Sequence, residues 1–162
     1  MEVWLSGPVA GVHPLLMPAA HSFVQVRDEI ASLLDGLTPE QLWHAPGASA
    51  SIGFHAVHLA GATDRLLTYA RGAELSREQL DAAKDERTIQ SLEASFLVGR
   101  VRAAMSAAID QIRDTPAAAL TDPREVGRQR LPSTVLGVIF HAAEHATRHA
   151  GQISTLRRIV RS

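Results

Sequence analysis

The 162-residue sequence has no cysteine. That absence excludes disulfides, thiolate-held zinc, iron–sulfur clusters and a cysteine nucleophile together. Aromatic residues are scarce, at 4%. No apolar run approaches the ~20 residues needed to cross a bilayer, so no membrane association is expected. The opening stretch MEVWLSGPVAGVHPLL lacks a basic leader region and a clean apolar core. No secretory leader is expected, and the cytoplasm is the default compartment. Net charge is only −1 with neutral histidines. No strong positive field exists to attract a phosphate backbone, so nucleic acid is not an expected partner.

What remains is an ordinary globular composition, 46% hydrophobic and 20% charged. The length predicts one domain over 1–162, with residues 1–18 an irregular arm marked by Gly7-Pro8, Gly11 and Pro14. Beyond it the pattern is helical. Phe23, Val26, Ile30, Leu33 and Leu37 follow the three/four spacing of a bundle helix. Thr38-Pro39-Glu40-Gln41 is a capping box, predicting a short helical turn before the break at His44-Ala45-Pro46-Gly47. Ser51 is the expected cap of a second long helix ending at Gly72, its inward stripe reading Ile52, His55, Leu59, Ala62, Leu66 and Tyr69.

Ser76-x-x-Gln79 opens a short connecting helix, and Asp85-Glu86-Arg87 reads as a solvated charge run. A third long helix is expected from a Thr88 cap, with Ile89, Leu92, Phe96, Val101, Met105, Ala108, Ile109 and Ile112 facing in. Residues 115–132 carry three prolines and a glycine and form the longest break, with no strand assigned. Ser133 is the expected cap of the last helix, to about Ile159. Four long amphipathic helices predict an all-α fold, an antiparallel four-helix bundle with short connecting helices.

The sequence has eight histidines, five of them in two clusters: His55 and His58 on helix two, His141, His145 and His149 on helix four. Imidazoles four apart share a helical face and can chelate one ion. At ~1.5 Å per residue, His141 and His149 stand roughly 12 Å apart along the axis, so they cannot share an ion. The pair is 141/145 or 145/149. With His145 at zero, Val138, Ala142, His149, Gln152, Ile153 and Leu156 fall between about −20° and +80°. His141 sits at about −40° and Glu144 at about −100°, so periodicity favours 145/149. Phase does not choose between His55 and His58 for a third ligand.

Two other readings compete. Inward histidines can simply be hydrogen-bonded core residues, which would make this a non-catalytic binding or structural protein with a vestigial site. Several unpaired buried imidazoles would cost desolvation, which a metal removes by accepting their lone pairs. His141-x-x-Glu144-His145 also matches the inverted metalloprotease pattern, with the glutamate as general base. Glu144 points off the stripe, and five residues recur easily in a histidine-rich helix.

The stretch from Ser51 to Gly72, the Leu37-Thr-Pro-Glu-Gln-Leu-Trp43 exit of helix one, and His145-Ala-Thr-Arg-His149-Ala-Gly151-Gln152, an H-x-x-x-H-x-G-Q signature, resemble the DinB/YfiT-like superfamily. The resemblance runs from about Pro14 to Ile159. It implies a four-helix bundle holding a divalent metal on three histidines, here His58, His145 and His149. His55 and His141 are extra to the pattern and are expected to line the pocket or support the ligands. Ala150 stands where the commoner form has arginine.

The resemblance also implies a metal-dependent hydrolase, or a transferase or isomerase using a low-molecular-weight thiol, acting on a small-molecule substrate. Zinc or nickel is the first expectation for the ion, with iron, copper and manganese as alternatives. Arg65, one heptad from His58, either binds an anionic group or pairs with Asp28 or Glu29 of helix one. Gln152 either orients a ligand or makes a structural hydrogen bond. Trp4 and Trp43 are pocket-wall or packing candidates, and His21 is expected at the surface. Leu136 and Phe140, apolar but off the stripe, fit either a homodimer or cover by the 1–18 arm.

Overall fold

The computed structural model describes residues 2–89 and 91–161. Its frame is four long helices: α1 (Met17–Leu34), α3 (Ile52–Ala70), α5 (Ala94–Asp114) and α6 (Val135–Val160). Two short helices, α2 (Pro39–Trp43) and α4 (Arg77–Asp85), lie in the connections, and the 115–134 segment carries a hairpin of β1 (Pro123–Val126) and β2 (Leu131–Thr134). The strands pair antiparallel, Pro123 opposite Thr134 and Val126 opposite Leu131. The all-α bundle expected from the periodicity is present, with this hairpin added to it.

Each long helix packs on two others, in the cyclic order α1, α5, α3, α6. The contacts fix the directions. α3 opposes α6, since His55 meets His149 near the start of one and well along the other. α1 opposes α5, since Arg113 reaches the Ala10 carbonyl just before α1, and Arg102 that of Arg27. α1 and α6 run alongside, their ends joined by Arg161 donating to the Asp35 carbonyl.

Local chemistry sets the boundaries. Thr38 and Ser76 make full capping boxes with Gln41 and Gln79, and Ser51 accepts from the Phe54 amide. These were the caps expected. Gly72 ends α3 with φ +74°, a backbone conformation that suits glycine. Two boundaries differ from expectation. α5 begins at Ala94 rather than after Thr88, so Ile89 and Leu92 pack from the preceding loop and Phe96 is exposed. The cap of α6 is Thr134, which accepts from Gly137, rather than Ser133.

The core is one cluster centred on Phe23, Ile30, Leu59, Leu97, Met105, Ile109, Ile112 and Ile139, all essentially inaccessible. Much of the α6 contribution is small: Ala142, Ala143, Ala146 and Ala150 are buried there. Short side chains let α6 approach its neighbours closely, which brings the histidines of α3 and α6 together. Residues 2–16 are not wholly irregular, forming short helical turns at Val3–Leu5 and Pro14–Leu16.

Candidate metal centre

α3 presents His55 and His58 from its first two turns, and α6 presents His145 and His149 from its middle. Because the two helices oppose each other, rising along one means descending along the other. The pairs 55/149 and 58/145 therefore meet at nearly one level. Ring centroids are 5.2 Å apart for His58–His145, 4.8 Å for His58–His149 and 4.4 Å for His145–His149. One nitrogen from each of His58, His145 and His149 lies within 4.8 Å of the others, and all three residues are half-buried. His55 and His141 stand outside that trio.

The electrostatics keep His55, His145 and His149 neutral at neutral pH. Burial, then the neighbouring histidines and Arg148, lowers His145 to about 4 against a small opposing pull from Glu144. Burial, then His145, His58, His55 and Arg148, lowers His149 to about 3. His55 is lowered by burial and by His58. A neutral imidazole keeps a lone pair for a cation, which is what a ligand needs at neutral pH.

Hydrogen bonds separate the ring nitrogens into occupied and free. His55 Nδ1 and His149 Nδ1 are 2.8 Å apart, one donating to the other. His58 Nδ1 lies 2.7 Å from Glu86 Oε2. His145 Nδ1 is buried and has no partner among the described residues. An orphaned buried nitrogen costs free energy unless something takes its lone pair or proton. Three convergent imidazoles, one with an unanswered nitrogen, fit a divalent cation.

The other expected residues fall as follows. His141 is exposed, its ring 5.8 Å from His145, and it lines a small cavity of about 230 Å³ with His58, Ala62, Arg65, Leu66, Tyr69, Leu75 and His145. Arg65 pairs with neither Asp28 nor Glu29; its Nη1 donates to Glu86 Oε1 at 2.6 Å. Gln152 is exposed on the outside of α6. Glu144 is bound by Arg148 and faces away from the trio, with His141 Nδ1 at 3.5 Å from its other oxygen. His21 is half-buried, its Nε2 2.9 Å from the Gly7 carbonyl. Trp4 is exposed, whereas Trp43 packs against Gly53 of α3 and donates to the Leu92 carbonyl.

Glu86 overturns the expectation of a solvated charge run. It is 4% exposed, while Asp85 and Arg87 beside it are exposed. Burial alone would raise its carboxyl, but hydrogen bonds from His58 and Arg65 and their charges outweigh this and hold it below the ordinary carboxylate value. No sequence signal marks it, because it follows α4 and lies in no helical stripe. Phe54 was likewise missed: its ring stacks on His58, 5.4 Å between centroids and 8° between planes.

A family model described as the DinB superfamily matches residues 22–153. The fold is similar to that of a conserved protein from Enterococcus faecalis, with a TM-score of 0.73 and 14% identity, covering 90% of this chain and 96% of that one. It is also similar to a DinB-like protein from Bacillus cereus, with a TM-score of 0.64 and 19% identity, covering 84% and 89% respectively. No curated protein matches the sequence. Among the described residues no helix is long and apolar enough to cross a membrane.

Proposed function

The chain belongs to the DinB superfamily, and on that premise we propose that it is a metal-dependent enzyme whose cation is held by His58, His145 and His149. The observation that carries this reading is the convergence of three half-buried imidazoles to within 4.8 Å. A divalent cation there, zinc or nickel first, supplies Lewis acidity to activate water or a low-molecular-weight thiol toward a small molecule. The chain's own residues do the rest. His145 and His149 stay unprotonated at neutral pH and so remain available as donors. A cavity of about 230 Å³ beside His58 and His145 would receive a small group between Ala62, Leu66, Leu75 and Tyr69.

The homodimer expected from sequence would use the groove between α1 and α6. There Phe140 is 63% exposed beside an apolar cavity of about 520 Å³ lined by Pro18, Ala19 and Ala143. Light scattering on the purified protein decides that point.

A non-catalytic reading has one observation in its favour: His149 already has His55 as a hydrogen-bond partner without a metal. The two readings separate on one experiment. Protein purified without a nickel column is analysed for transition metals, stripped with chelator and titrated with zinc. The enzyme reading expects near-stoichiometric uptake. At a thousandfold excess over Kd, a ligand bound only by the folded state adds about 4 kcal/mol. For a chain of this size that is a Tm rise of about 8–16 °C. His149→Ala removes the rise. Trace metal only, with no uptake and no shift in Tm, overturns the enzyme reading.

A further inference from the structure

We infer that Glu86, clamped by Arg65, is the positioning residue for His58: it fixes which ring nitrogen carries the proton and so which one faces the cation. The inference rests on the proposed metal site and deepens it.

The argument begins with a carboxylate where none would ordinarily be placed. Glu86 is 4% exposed, and burying a charge is costly unless it is paired and hydrogen-bonded. Arginine–carboxylate pairs frequently meet as two parallel bonds. Here the carboxylate is divided. Oε1 accepts from Arg65 Nη1 at 2.6 Å, and Oε2 is turned to His58 Nδ1 at 2.7 Å. A carboxylate can only accept, so Nδ1 of His58 carries a proton. In the neutral ring the lone pair is then on Nε2, the nitrogen left for a cation.

Two further observations show that the arrangement is built. α3 has a glycine at the spot where Glu86 arrives. A Cβ at Gly61 would lie 2.5 Å from Glu86 Oε1 and 2.9 Å from Arg65 Nη1, so any side chain there would displace the carboxylate. The next residue secures the ring's face. Arg87 Cζ lies 5.6 Å from the centroid of Phe54, and Phe54 stacks flat on His58. Consecutive residues of one loop therefore hold His58 by its edge and, through Phe54, by its face. Ligand histidines commonly need such a partner, and losing it typically costs 10–100-fold in metal affinity.

The test uses the full-length chain, stripped of metal, with zinc as the probe. Zinc Kd is measured by competition with a chromophoric chelator for wild type, Glu86→Gln and Gly61→Ala. Glu86→Gln keeps the shape and loses the charge. Gly61→Ala leaves the ligand and the carboxylate's chemistry intact and presses on the Glu86–Arg65 pair. Both are expected to raise Kd, Glu86→Gln by about 10–100-fold. A purely structural Glu86 would lower the Tm of the metal-free protein and leave Kd unmoved, and that result overturns the inference. Long-range nitrogen–proton NMR of metal-free wild type at pH 8 gives a readout independent of both variants. His58 is expected to be protonated at Nδ1, and an unprotonated Nδ1 overturns the inference even if a variant fails to fold. Failure of wild type to bind zinc would instead overturn the proposed function, while the NMR result still decides the role of Glu86.

Discussion

Acidifying the metal-free protein should destabilise it well before its carboxylates titrate. In the folded chain His145 titrates at about 4 and His149 at about 3, because burial and the neighbouring cations disfavour the proton. In the unfolded chain both return to about 6.5. Below that value the unfolded state binds protons that the folded state refuses. Stability is therefore full above pH ~6.5 and falls as pH drops toward the folded values. By this linkage each histidine costs at most about 2 kcal/mol at pH 5, and solvent screening of the half-buried rings brings the pair to about 2 kcal/mol together. At about 2–4 °C per kcal/mol, the Tm in chelator should fall by about 4–8 °C between pH 7.5 and pH 5. Thermal unfolding followed by circular dichroism measures it, with a His145→Gln/His149→Gln double variant as reference because all other groups titrate in both. The difference between the two pH profiles carries the prediction. Parallel profiles for wild type and the double variant would refute it. Zinc should restore part of the lost Tm, since cation and proton compete for the same lone pairs.

Further outcomes concern packing and specificity. Gly53→Ala would place a Cβ 2.5–2.6 Å from three ring atoms of Trp43, so overpacking should cost about 1–3 kcal/mol in chemical denaturation. Gly99→Ala, on the exposed side of α5 with nothing within 4 Å, should instead add up to about 1 kcal/mol. Equal effects from the two would contradict the close approach of Trp43 to α3. Glu144→Gln should leave zinc affinity within about twofold, since Glu144 is bound to Arg148 away from the trio. Zinc binding that survives His149→Ala would instead favour the H-x-x-E-H reading, in which His141 and His145 are the ligands and Glu144 the general base.

Helical periodicity made most of the frame legible, because a buried stripe and its caps are local properties. It also placed His145 and His149 together. It misplaced Gln152 for an instructive reason. The most deeply packed side of α6 carries Ile139, Ala143, Ala146 and Ala150, about 130° round from His145. A stripe drawn through the larger apolar residues leans toward Gln152, whereas the alanines mark where neighbouring helices come closest. The choice between His55 and His58 could not come from phase, since both face inward; it depends on how α3 packs against α6. Glu86 was beyond reach because its burial is a meeting of a loop with the notch at Gly61, and neither leaves a periodic trace. Residues 124–131 read as a stretch that could be extended, without a strand assigned there; Pro123 and Pro132, which lie in the hairpin's strands, ordinarily argue against strand.

His55 and His149 touch across 94 positions of chain. Synthesis therefore delivers the α3 and α6 histidines at very different moments. A nascent polypeptide that has completed α3 offers only isolated imidazoles, too weak to capture a cation. On the proposed reading, loading would wait for the C-terminal helix to dock as the closing stave. An ion would then mark completion, absent from any product cut short before His145.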